Sequence, residues 1–150
     1  MQSDDTIKPI DLAEILDHVP AVVFRLSHVG DYWKVLYASQ SVTRYGYTVE
    51  EFMDGSTPWF SLVHPDDRVM VSKSVQDYEA HKIDEYHLYY RLVTKSGESV
   101  PITEYNTVNR DANGDVVSYD TSIVNNAMPV AGEMLIDNHY RQQMVFNDIL

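Results

Sequence analysis

The sequence contains no cysteine, which excludes disulfides, thiolate zinc sites and thiol catalysis in this chain. Positive charge is also scarce, because 11 Lys and Arg residues face 23 Asp and Glu residues, for a net charge of −12. An acidic surface repels phosphate backbones and anionic lipids. We therefore expect neither nucleic-acid binding nor membrane contact by this domain.

Long apolar runs are absent as well, and none approaches the roughly 18 residues that a membrane span requires. The first residues, M-Q-S-D-D-T, are acidic and polar, unlike a signal peptide. We expect a cytoplasmic protein. The 150 residues, 44% of them hydrophobic, suffice for one domain with a substantial core.

Hydrophobic periodicity predicts helices mainly in the first half of the chain and strands mainly in the second. Turn signals stand at Gly30-Asp31, at 95–98 and at 111–114, each between two apolar alternating segments. The predicted helices cover 11–18, 66–80 and 132–150, with brief helices inside 39–60, and the predicted strands cover 21–27, 33–38, 85–94, 100–109 and 116–124. This order predicts an α+β fold, with a five-stranded antiparallel sheet and helices on one face.

The junction Leu62–Arg68 reads L-V-H-P-D-D-R. Pro65 suits the first turn of a helix, and Asp66 and Asp67 then lie where free N–H groups favour carboxylates. We interpret both aspartates as helix caps. The alternative, a metal or acid–base site with His64, would make the chain an enzyme, but no nucleophile motif supports that, and we expect no catalysis.

Four segments in this order resemble a PAS sensor domain over about residues 10–125. They are Y-A-S-Q-S-V-T-R-Y-G-Y-T-V-E-E-F (Tyr37–Phe52), the junction just described, Y-R-L-V-T-K-S-G-E-S-V-P-I (Tyr90–Ile102) and R-D-A-N-G-D-V-V-S-Y-D-T-S-I-V (Arg110–Val124). The resemblance implies a PAS domain over 10–126, a leader over 1–9 and a C-terminal connector helix over 127–150. Two departures are Thr121, where many relatives carry glycine, and Asn125-Asn126-Ala127, where the family often continues D-I-T.

The resemblance implies that this domain is a sensor in a signalling protein. A small ligand would bind between sheet and helices, and the signal would pass through the C-terminal helix to an output domain of the histidine kinase or cyclic-dinucleotide enzyme type. The domain would form a homodimer through 11–18, the adjoining sheet face or the terminal helix. The alternative is a ligand-free PAS dimerisation module with a filled core.

The pocket residues that we predict share the inner face of the sheet or the helix faces opposite it. Along the strands, alternation of period two selects the side chains of one face. On the helix over 66–80, spacings of four and three select an apolar stripe. The predicted ligand-binding set is Tyr37, Met53, Val71, Val75, Tyr78, Leu88, Tyr90, Leu92, Ile102, Glu104, Asn106, Tyr119, Thr121 and Ile123.

Two interpretations of Glu104 and Asn106 remain open. On a buried face they would cost a few kcal/mol unless a ligand or other group partners them. A bulge or a slip by one residue would instead turn both to solvent and Tyr105 inward. We favour the slip.

The cofactor is left open by the sequence. The photochemistry of light-sensing flavin relatives needs a cysteine, which this chain lacks, whereas a redox flavin without the thiol remains an alternative. Haem-binding relatives use an axial histidine near the long helix and the next strand, where His81 and His87 lie. We interpret both as surface histidines, with His81 the one that would reach a pocket mouth.

Overall fold

The computed structural model describes residues 12–30 and 32–126. Its helices are α1 (Leu12–His18), α2 (Val49–Met53) and α3 (Arg68–Ala80), and 3₁₀ helices cover Gln40–Tyr45, Trp59–Leu62 and Pro65–Asp67. Its strands are β1 (Val22–Val29), β2 (Tyr32–Ala38), β3 (Glu85–Val93), β4 (Ser99–Arg110) and β5 (Val116–Asn125). The predicted leader and C-terminal connector helix lie outside the described residues.

The five strands form one antiparallel sheet in the order β2-β1-β5-β4-β3. The last three strands are a meander, and β1 pairs with β5 to bring the first hairpin beside it. The α+β class and the five-stranded sheet are thus confirmed. Among the described residues, no helix is long and apolar enough to cross a membrane.

The β1–β2 hairpin contains an irregularity that changes which side chains face inward. Leu26 pairs with Val35, whereas Arg25 pairs with Tyr37, so one extra residue stands on β2. Arg25 makes an ion pair with Asp120, with a distance of 2.6 Å between Nε and Oδ1, on the outer face. Tyr37 therefore lies on the outer face of the sheet.

Helix α3 begins at Arg68, two residues later than predicted, after the 3₁₀ turn Pro65–Asp67. The cap interpretation is wrong for Asp67, whose side chain makes no capping hydrogen bond. Its carboxylate is buried and accepts from the guanidinium of Arg91 on β3 at 2.8 and 3.1 Å, and from the Arg91 backbone N–H at 2.9 Å. Three bonds to one residue, two of them from its charged guanidinium, outweigh a single bond to a helix N–H.

A capping box begins α2. The Thr48 hydroxyl accepts from the Glu51 N–H, and the Glu51 carboxylate accepts from the Thr48 N–H at 2.7 Å. The same carboxylate accepts from Lys95 Nζ at 2.6 Å and from the Thr57 hydroxyl at 2.5 Å. The bond from Lys95 ties α2 to the turn between β3 and β4.

Candidate functional site

A cavity of about 700 Å³ lies between the inner face of the sheet and the helical layer. Its volume falls in the range of small-molecule sites, roughly 300–1,000 Å³. Eight predicted pocket residues line it: Met53, Val71, Val75, Leu88, Glu104, Asn106, Tyr119 and Thr121. The exposed side chains of Tyr32 and Met53 also border the cavity, which therefore opens to solvent there.

The other six predicted residues do not line the cavity. Tyr37 lies on the outer face because of the β1–β2 irregularity. Four strand residues are buried in the packed core beside the cavity, since the helical layer fills that half of the inner face: Tyr90, Leu92, Ile102 and Ile123. Tyr78 is buried on α3, where its ring stacks on the Tyr86 ring at 4.4 Å.

Aromatic side chains outside the predicted set, Trp33 and Trp59 among them, form much of the cavity wall together with Tyr119. The Trp33 ring lies 4.8 Å from the Tyr119 ring, at 75°, and 6.0 Å from the Trp59 ring, at 58°. His28 flanks Trp33 at 4.5 Å, and the Tyr86 ring also lines the cavity. The signal for Trp33 was present in the sequence, because Trp33 and Val35 share one phase of the β2 alternation.

Glu104 and Asn106 face inward, so the predicted slip is wrong. Glu104 is 2% exposed, whereas Tyr105 is 52% exposed. The β3–β4 register runs without a shift from Glu85 to Val93, and the β-bulge of β4 comes only between Asn109 and Arg110. The first of the two interpretations therefore holds for the side-chain direction.

The polar side chains on this wall satisfy one another. The Tyr90 hydroxyl donates to Glu104 Oε1 at 2.6 Å, and Asn106 Nδ2 donates to Glu104 Oε2 at 2.6 Å. The Thr121 hydroxyl donates to Asn106 Oδ1 at 2.5 Å. Burial therefore costs less than it would for unpaired groups, which explains why the strand keeps its register.

Burial raises the pKa of Glu104, and the hydrogen bonds from Tyr90 and Asn106 oppose that shift. Burial together with the nearby Glu104 raises the pKa of Tyr90 well above its ordinary value. Burial likewise raises the pKa of Tyr86 on the same wall. Charge on these buried side chains is therefore poorly solvated.

Two further polar groups shape the opposite wall. The Tyr119 hydroxyl donates to Glu79 Oε1 of α3 at 2.5 Å, which ties the sheet to the helix across the cavity. The Trp59 indole N–H finds no acceptor among the described residues. An unpaired buried donor is a cost that the surrounding packing must offset.

The two histidines weighed as haem ligands do not line the cavity. His81 is exposed at the C-terminal end of α3. His87 lies on the outer face, between Tyr89 and Tyr105. Among the described residues, no group of three or more His, Cys, Asp or Glu side chains could hold a metal ion.

The comparisons with known proteins agree with this architecture. A family model described as PAS fold matches residues 35–123, more than half of the chain. A methyl sulfide methyltransferase-associated sensor of Methanosarcina acetivorans is 27% identical over 126 residues. The match covers 84% of this chain but only 12% of that sensor, so the chain spans a small part of the curated relative.

Solved structures share the fold at low sequence identity. A light-oxygen-voltage domain studied with a flavin analogue superposes with a TM-score of 0.68 and 18% identity, covering 87% of this chain and 95% of that chain. The PAS domain of a protein from Colwellia psychrerythraea superposes with a TM-score of 0.64 and 18% identity. The match covers 77% of this chain and 93% of that domain.

Proposed function

This chain belongs to the PAS fold family, and from that premise we propose that it binds a small ligand in the cavity and relays the event through its C-terminal segment. It is a PAS domain similar to sensor proteins. The observation that carries the proposal is the cavity of about 700 Å³, walled by aromatic rings and by the polar group Glu104, Asn106 and Thr121. The proposal involves no catalytic step.

The unfilled interior favours ligand binding over the alternative of a ligand-free dimerisation module. A module built only for association gains stability by filling its core, because close packing is the ordinary state of protein interiors. Here α3 presents Ser72, Val75 and Gln76 to the cavity, which are too small or too polar to fill it. A ligand would supply the missing contacts.

What supports a relay is the way the end of β5 is fastened. The Tyr45 hydroxyl donates to Asn125 Oδ1, which joins the end of β5 to the 3₁₀ helix Gln40–Tyr45. The Thr103 hydroxyl donates to Asn126 Oδ1 at 2.6 Å, and the Asn126 N–H donates to the Pro101 carbonyl at 3.0 Å. These asparagines stand where the family often has other residues at the domain exit, and a displacement of β4 or β5 would reach the end of β5 through them.

Homodimerisation and a C-terminal output domain complete the proposal. Helix α1 exposes Leu12 and Ile15, 70% and 47% of their surfaces respectively, which supports an association surface at that helix. Light scattering of the full chain is expected to show a dimer that Leu12→Glu together with Ile15→Glu dissociates. A monomer at high protein concentration would contradict this part.

The ligand-binding part is tested by filling the cavity. Val75→Trp, on the half-buried cavity face of α3, should reduce binding at least tenfold, whereas Val69→Trp, on the exposed face of the same helix, should leave it unchanged. Native mass spectrometry and an absorption spectrum of the purified chain would detect a retained molecule. Isothermal titration with a panel of cationic, neutral and anionic fragments would then measure binding.

Equal behaviour of the two tryptophan variants would contradict the proposal, provided that circular dichroism shows both to be folded. A Soret band or a flavin spectrum that disappears only in Val75→Trp would support it and identify the ligand class directly.

A further inference from the structure

Glu104 places a carboxylate in the cavity wall without a counter-ion. Both of its oxygens accept from uncharged donors, Tyr90 and Asn106. Within residues 12–30 and 32–126, it forms no ion pair with a lysine, arginine or histidine. A buried carboxylate in this position loses hydration without gaining an opposite charge, so a cation entering the cavity would be stabilised by it.

Other acidic side chains around the cavity add to the negative charge of Glu104. Glu79 of α3 faces the cavity and is held there by the Tyr119 hydroxyl. Asp54 adds a carboxylate at the exposed rim. The only basic side chains among the described lining residues, Lys34 and His28, are themselves exposed. The enclosed part of the site therefore carries negative potential, and a net charge of −12 attracts cations from solution.

The aromatic walls suit the same kind of ligand. The Trp33 ring is inclined to the rings of Tyr119 and Trp59, whose centroids lie 4.8 and 6.0 Å from its own. All three residues line the cavity, so a ligand there meets aromatic ring faces and edges. Such faces attract ammonium groups, and tryptophan does so most strongly.

From these observations we propose that the cavity selects a small organic cation, a quaternary or protonated amine with an apolar body, over neutral and anionic molecules of the same shape. The ammonium would lie in the negative potential of Glu104 and Glu79, and the aromatic rings together with Leu88 and Val71 would line the rest of the volume around the ligand. This inference rests on the proposed ligand-binding function and adds the charge of the ligand to it.

The test compares molecules that differ in charge but not in size. Choline is paired with 3,3-dimethylbutan-1-ol, its uncharged isostere, and 2-phenylethylamine is paired with 2-phenylethanol and with the anion phenylacetate. Binding to the full chain is measured by isothermal titration and ligand-observed NMR at pH 7. We expect each cation to bind at least tenfold more tightly than its neutral partner, and the anion to bind most weakly.

Variants locate the selectivity in the cavity. Glu104→Gln should reduce the ratio of cation to neutral affinity to below about threefold, while Glu98→Gln, at an exposed position outside the cavity, should leave the ratio unchanged. Trp33→Leu, which removes a cation–π face but no charge, should lower cation affinity more than neutral affinity. It keeps the test decisive if Glu104→Gln fails to fold.

The outcomes separate this inference from the function on which it rests. If neutral molecules bind as tightly as cations, or if both cavity variants keep the selectivity, the cation inference is overturned while ligand binding stands. If no probe of any charge binds and Val75→Trp behaves like Val69→Trp, both are overturned.

Discussion

The inner face of the sheet has a filled half and a hollow half, although both are built from the same strands. In the filled half, Leu92, Ile102 and Ile123 are wholly buried against the helical layer. In the hollow half, Leu88 and Tyr119 border the cavity. Strand β3 passes from one half to the other within four residues, which shows that the strands alone do not decide where the interior is filled.

The helical layer accounts for the difference. Over the filled half, Leu62 and Val63 are buried, and Val63 forms a bridge with Leu92. Asp67 fastens this part of the layer to β3 through Arg91. Over the hollow half, α3 presents small and polar side chains and is held to the sheet by the bond from Tyr119 to Glu79. The Asp67–Arg91 ion pair thus anchors the layer beside the filled core, whereas a hydrogen bond from Tyr119 to Glu79 joins sheet and helix at the cavity.

The largest expected effect on stability comes from removing the Asp67–Arg91 ion pair, which anchors the filled half. Asp67→Ala leaves the partly buried Arg91 guanidinium without its carboxylate and should lower the free energy of unfolding by about 3 kcal/mol. Urea denaturation measures this, with the exposed neighbour Asp66→Ala as the control, expected to cost less than about 1 kcal/mol. Equal losses in the two variants would show that the Arg91 pair does not anchor the layer.

Two leucines on β3 allow the filled half and the hollow half to be compared by the same substitution. Leu92 and Leu88 lie on the same face of β3 and are both fully buried, but only Leu88 borders the cavity. Leu92→Ala should cost about 4 kcal/mol, and Leu88→Ala about 2 kcal/mol, because a side chain beside a void has fewer contacts to lose. The difference is read from urea midpoints at a common m-value. Equal costs would mean that the cavity is closed or occupied in solution.

The smallest expected effects are on the pH dependence of stability. The pKa of Glu51 is lowered and the pKa of Glu104 is raised. Bonds from Lys95, Thr57 and Thr48 lower the pKa of Glu51 to about 2, from an ordinary value of 4.5. Because the folded pKa lies below the unfolded one, Glu51 contributes stability above pH 4.5 and loses it as pH falls towards 2. The stability difference between wild type and Glu51→Gln should therefore shrink between pH 5 and pH 2.5.

Glu104 should behave in the reverse way. Burial raises its folded pKa, so its contribution is fully present below the unfolded pKa and is lost as pH rises through the folded value. Relative to Glu104→Gln, the wild type should lose stability as pH rises above about 4.5. Urea titrations of both variants across pH 2.5–7.5 check the two signs. A Glu104 profile parallel to that of Glu51 would contradict its burial in a low-dielectric cavity.

Local patterns in the sequence predict the fold and one wall of the site. Alternation on β3 correctly placed Leu88, Tyr90 and Leu92 on the inner face, and the stripe on α3 correctly included Val71 and Tyr78, both of which are buried. These patterns state which face a residue occupies. They do not state how much space the opposite layer leaves, so the filled and hollow halves could not be told apart.

The errors have long-range causes. The partner of Asp67 is 24 residues away on β3, so the local cap signal gave the wrong interpretation. Glu104 faces inward because Tyr90, 14 residues earlier, supplies a hydroxyl to it. Tyr37 was misplaced because one extra residue in β2 reverses the alternation after Val35. Each error reflects a contact between distant segments rather than a weak local pattern.

The pairing of β1 with β5 has a consequence for how the chain acquires its structure. Val22 lies opposite Ile123, so this ladder closes a loop of about 100 residues, whereas the β3–β4–β5 meander closes through short turns. Contacts so distant in sequence form late and slow folding. During synthesis, the β1–β2 hairpin must therefore wait for β5 to leave the ribosome, and until then the edge of β1 that β5 later covers has unpaired backbone groups. Such an unpaired edge exposes the nascent chain to aggregation.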